Sequence, residues 1–165
     1  KTLQGKDSWS RKNFKIVNYR INIMAFIRKS GKTKLVPMPW TTGQTITKGS
    51  LVSWTSGRLV PAGASTEPYN TAGVIKETIT SASDVYTTNG NVMVEVPTEK
   101  DVKWTADFTA TLLVTDIGAH CDLTNGYTVN RGASSLDICF IAGFISTTKG
   151  VVVLNIGPGA IKGQA

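Results

Sequence analysis

Apolar and polar residues alternate with a period of two over several short stretches, separated by glycine or Asn-Gly breaks. The sharpest case puts Val92, Val94 and Val96 on one face and Met93 and Glu95 on the other, ended by Pro97. That period is the pleat of a β-strand. Leu51, Val52 and Trp54 begin another strand. Ser56-Gly57 turns the chain and Arg58 to Val60 returns it, which predicts a tight hairpin. Residues 64–73 read as a polar loop outside the core. Residues 73–80 read as a strand of imperfect alternation, as near a sheet edge. Further strands are predicted over 108–115, 136–145 and 151–156, with a bulge or close approach at Gly143. Asn89-Gly90 and Asn125-Gly126 are turn signals, and 116–124 reads as a turn-rich connection. One short helix fits 98–107; no long amphipathic helix is visible. Many short strands with glycine at nearly every corner predict a mainly β fold, a small barrel or sandwich.

The chain before this body has a different character. Residues 21–29, INIMAFIRK, read equally as a strand or a short helix, and Ser30-Gly31 marks a turn. Pro37 and Pro39 cannot both sit inside a central strand, so 35–40 is expected to be an extended linker or an edge crossing. Lys1, Lys6, Arg11, Lys12, Lys15, Arg20, Arg28 and Lys29 face a single acid, Asp7, while the rest of the chain is close to neutral. The expected organisation is a basic N-terminal arm over 1–35, a β domain over 36–157 and a flexible tail over 158–165.

The net charge of +7 attracts anionic partners. In the arm, Trp9, Phe14 and Tyr19 interleave with basic residues. Such a pattern serves base stacking with phosphate contact, or anchors an arm on a neighbouring protein, aromatics in pockets and cations at the rim. The second reading is preferred, because the stretch is short and no nucleic-acid module accompanies it. Of the four tryptophans, two or three are expected in the core, with Trp9 the anchor in a partner. The contact candidates are Trp9, Arg11, Lys12, Phe14, Lys15, Tyr19, Arg20 and Trp40.

Candidate chemistry is sparse. His120, Cys121 and Asp122 are adjacent, but neighbours in extended chain point to opposite sides. His120 is the sole histidine and reads as a loop residue. Cys121 and Cys139 lack zinc-site spacing and read as small core residues. Two cysteines make no disulfide framework; their bonding state stays open, with reduced thiols expected. There is no phosphate-binding glycine loop, no GxSxG elbow and no carboxylate pair at a fixed spacing. The reading is a non-enzymatic protein without cofactor or metal. No apolar run approaches a membrane span, and no signal peptide is visible at the start.

The stretches TKGSLVSWTSGRLVPAGAS, TAGVIKETIT and NVMVEV resemble the head decoration, or capsid cement, proteins of tailed bacteriophages. The later VKWTADFTATLLVTDIGAHCDLTNGYTVNRG is similar to the family's phrase running into Asp116, Ile117 and Gly118, then Leu123 and Thr124. The resemblance covers roughly 43–156. It implies a small tulip-like β body on the outer surface of a virion capsid, a homotrimer bound to the major capsid protein. It also implies an N-terminal arm lying along the shell, and no catalytic residues. A nucleic-acid-binding β protein and a receptor-binding or fibre-associated virion protein are the alternatives.

Overall fold

The computed structural model describes residues 25–156. Among the described residues there are eleven strands: β1 (Ile27–Ser30), β2 (Thr33–Pro39), β3 (Leu51–Thr55), β4 (Arg58–Pro61), β5 (Thr71–Ile75), β6 (Asn91–Pro97), β7 (Lys103–Phe108), β8 (His120–Asn125), β9 (Thr128–Asn130), β10 (Cys139–Ser146) and β11 (Lys149–Leu154). One helical turn, α1 (Asp84–Thr87), and 3-10 turns at Pro68–Asn70 and Val114–Asp116 complete the elements. The mainly β expectation holds, and the architecture is more specific than either alternative: a barrel with a second sheet beside it.

The first sheet runs β1-β7-β11-β10-β8-β9, and β7 also pairs with β9. That parallel contact, Asp107 with Thr128 and Phe108 with Val129, closes β7 to β11 into a five-stranded ring. β1 hangs outside the ring on β7. The second sheet is antiparallel, in the order β2-β6-β5-β3-β4. Trp104, Ala106 and Phe108 alternate inward along β7 and meet Cys121, Leu123, Ile141 and Val152. Leu51, Ala62 and Val74 of the second sheet join this core, so the two sheets are packed together. The opposite face of the second sheet buries Trp40, Val52, Ile75, Val92, Val94 and Val96. Ile46, Ile79, Val85 and Tyr86 cover it from the long connections before β3 and after β5.

Local signals were read correctly where the chain decides its own course. Ser56 and Gly57 both take positive φ, 50° and 76°, the two-residue turn that suits the twist of a hairpin. The β10–β11 register slips between Ile141 and Gly143, the bulge expected there. β2 lies at a sheet edge, where Pro37 and Pro39 are tolerated.

Other expectations are corrected. The strand expected over 108–115 is β7 at Lys103–Phe108; Lys-Trp-Thr-Ala-Asp-Phe alternates cleanly, which also removes the helix expected over 98–107. After it the chain leaves the sheet, with Leu113 and Val114 exposed. Thr71–Gly73 belong to β5 rather than to a polar loop, and β5 is a central strand buried at all five residues. It stops at Ile75, well short of 80. Residues 120–125 form β8 within the segment read as a connection. The strand expected from 136 begins at Cys139. Asn89-Gly90 links α1 to β6 without forming a hairpin. Strands β1 and β2 also carry the folded body back to Ala25, ten residues before the expected arm boundary, so 25–35 belongs with the β domain.

Candidate functional site at the chain entry

The described chain enters the fold at Ala25 and Phe26. Phe26 is buried in the barrel core, and its N–H donates to the Gly49 carbonyl at 2.7 Å. A Cβ on Gly49 would lie 2.5 Å from that of Ala25, so only glycine lets the entry pass this closely. β1 follows with all four residues exposed, and its only strand partner among the described residues is β7. The Thr105 hydroxyl reinforces the pairing by donating to the Ile27 carbonyl at 3.1 Å.

Under β1 lies Glu95, a carboxylate 5% exposed in the middle of a valine strand. The Arg28 Nε and the Thr33 hydroxyl meet its Oε1, each at 2.8 Å. The Lys76 Nζ meets Oε2 at 2.8 Å. Burial alone would raise the Glu95 pKa. The Lys76 ammonium, with the Thr33 hydroxyl and the Arg28 guanidinium, outweighs it and holds the carboxyl below its ordinary value. Glu95 is therefore a fixed anion that ties β1 of the barrel sheet to β2, to β6 and to Lys76, just after β5, of the other. Both of its oxygens are engaged, which suits fastening. Beside it is a cavity of about 330 Å³, with Phe26 and Ile75 lining it and Arg28, Lys48 and Lys76 at its side.

Of the expected contact residues, Trp9, Arg11, Lys12, Phe14, Lys15, Tyr19 and Arg20 lie outside the described residues. Trp40 is a correction. Its side chain is wholly buried in the second core, and its Nε1–H donates to the Gln44 carbonyl at 3.3 Å. It has no surface to offer a partner. The signal for burial was its place after the alternating Val36 and Met38, at the point where β2 crosses to β4 through a bridge with Leu59.

The cluster at 120–122 is taken apart by the pleat. His120 is exposed on β8, a strand rather than a loop, with Nδ1 3.8 Å from Asp137. Cys121 points into the barrel core beside Cys139, its partner across β8 and β10; both are free thiols. Burial pushes the Cys121 thiol up to about 11 and Cys139 higher still. Thiols so far from ionisation are poor nucleophiles. Asp122 is buried and accepts from the backbone N–H groups of Ser135, Leu136 and Asp137 and from the Ser135 hydroxyl, at 2.8–3.0 Å. It is the anchor of the 133–137 loop.

Sequence reasoning missed Glu95, Arg28, Lys76 and Thr33 as a unit. The one available signal was an acid inside an otherwise apolar strand. Among the described residues, no three His, Cys, Asp or Glu side chains group as metal ligands would, and no helix is long and apolar enough to cross a membrane. No protein-family model matches this chain, and no curated protein matches it.

Proposed function

We propose that this chain is a structural decoration protein of a tailed-phage head, a non-catalytic cement bound to the outer surface of the shell through the major capsid protein. The observation that carries the reading is the geometry of the entry. An exposed edge strand, β1, continues directly into the basic, aromatic segment 1–24. Residues 25–156 hold eleven Lys and Arg against ten Asp and Glu, whereas 1–24 hold six against one. The excess positive charge thus precedes a single anchored strand in the sequence. An edge strand accepts or extends a partner's sheet through main-chain hydrogen bonds, and flanking cations steer it to an acidic surface. Trimerisation at three-fold positions of the shell belongs to the same proposal, following the sequence resemblance.

Deleting 1–24 and measuring occupancy on undecorated capsids tests it. Occupancy is expected to fall at least tenfold, and binding of the intact chain to weaken with salt. Unchanged occupancy removes the arm from the attachment. A mobility shift of duplex or single-stranded DNA at low salt by the intact chain, lost on the same deletion, would favour nucleic acid as the arm's target.

A further inference from the structure

A second cavity, of about 510 Å³, opens where the β8–β9 turn meets the connection before β3, the end of β4 and the connection following β5. It shares no lining residue with the cavity at the chain entry. Its floor includes Ile46, Ala62 and Ile79, all buried. Its walls carry the hydroxyls of Thr45, Thr47, Thr78, Thr80 and Ser81, all exposed. Tyr127, 39% exposed, lines it from the barrel side. No lysine, arginine, histidine, aspartate or glutamate lines it.

The cleft is also held in shape. The Asn125 Oδ1 accepts from the N–H groups of Tyr127 and Thr128 and from the Thr128 hydroxyl, at 3.1, 3.0 and 2.7 Å, fixing the turn that presents the phenol. The Leu51 N–H donates to the Gly126 carbonyl at 2.6 Å, clamping that turn to the second sheet. A Cβ at Gly126 would meet the Ala62 and Leu51 carbonyl oxygens at 3.0 and 3.1 Å, so the approach is as close as a backbone allows.

We infer that this cleft binds a neutral saccharide. Hydroxyl walls both donate and accept, which matches a ligand whose own groups do both. The absence of charged lining side chains gives no counter-charge to a phosphate, carboxylate or amine. An apolar floor with an aromatic ring at its side takes the C–H face of a pyranose, and the volume lies in the range of small-ligand sites. A purely apolar ligand would strip water from the exposed wall hydroxyls without offering them partners, which costs affinity. The inference does not rest on shell attachment, because the cleft shares no lining residue with the cavity at the chain entry.

The test is a titration of the isotopically labelled full chain with neutral trisaccharides of glucose, mannose, galactose and N-acetylglucosamine, and with a sulfated trisaccharide as the charged control. At least one neutral sugar is expected to give saturable amide shifts confined to 45–50, 78–81 and 125–127. Tyr127→Ala should then weaken binding about tenfold, and Thr47→Val severalfold, with the melting temperature unchanged. The inference is overturned if no neutral sugar shifts the cleft at tens of millimolar, if only the sulfated sugar binds, or if both variants bind as tightly as the parent.

Discussion

Each ring strand of the barrel, β7 to β11, has a neighbour on both sides, whereas in the second sheet only β3, β5 and β6 do. The barrel's hairpins are correspondingly short, and its own strands supply most of its core. The open sheet relies on other parts of the chain. Its outer face is roofed by the connections carrying Ile46, Ile79, Val85 and Tyr86. Its inner face shares the barrel core through Leu51, Ala62 and Val74, and is tied to β1 through Glu95. Its β2 edge is defended by chemistry. Trp40 N–H and Lys32 C=O point toward the β6 side, so Thr33, Leu35, Pro37 and Pro39 aim their main chain at the open edge. Two of those four positions have no N–H to offer. Closure removes an edge; an open sheet must cover, tie or blunt it.

The comparison breaks first at the barrel interior. Trp104→Ala should cost about 4 kcal/mol, measured by denaturant unfolding, since a fully buried indole leaves a cavity that the closed ring cannot collapse. Trp104→Phe should cost far less, because the indole Nε1–H has no hydrogen-bond partner and its loss carries no unpaired group. Next is Asp122→Ala, expected at about 3 kcal/mol, since the N–H groups it accepts from are left partly buried.

Glu95→Gln sharpens the other side of the comparison. It should cost about 1–2 kcal/mol, because Arg28 and Lys76 are 46% and 40% exposed and regain water. Its folded pKa lies below the ordinary 4.5. That contribution is therefore complete above the ordinary carboxylate range and is lost as pH falls through the lower folded value. Stability of the Gln variant and the parent should converge as pH falls through that lower folded value, and failure to converge would show that Glu95 is not the acid-sensitive tie. The smallest change in stability is expected for Pro37→Thr with Pro39→Thr, within about 0.5 kcal/mol. Self-association measured by sedimentation should rise, because the edge regains two donors.

What the sequence made legible follows the same division. Elements decided by neighbours along the chain were readable: the Val92–Val94–Val96 face, the Ser56-Gly57 hairpin, the Gly143 bulge, and the edge position implied by Pro37 and Pro39. Elements decided by distant chain were not. Glu95 sits on the face predicted for it, but that face is covered by β1, so it is buried among cations rather than solvated. β5 looked like an edge strand because Lys76 and Glu77 follow it, yet β3 and β6 enclose it. Trp40 read as an anchor because prolines precede it, although the crossing it makes ends in the second core. The saccharide cleft was invisible, since its walls come from segments more than thirty residues apart with only threonine and serine in common.

The pairing of β1 with β7 has a consequence for the order of events during synthesis. The Thr105 hydroxyl that holds Ile27 lies 78 residues downstream, and Glu95 follows Thr33 by 62. At ribosomal speeds that gap is roughly 4 to 16 seconds. Throughout it the entry strand is without its β7 partner. β1 is thus made well before the strand that fastens it, and such long-range closure belongs to slowly folding topologies. Any partner that adds to the entry strand in that interval meets it before the barrel exists.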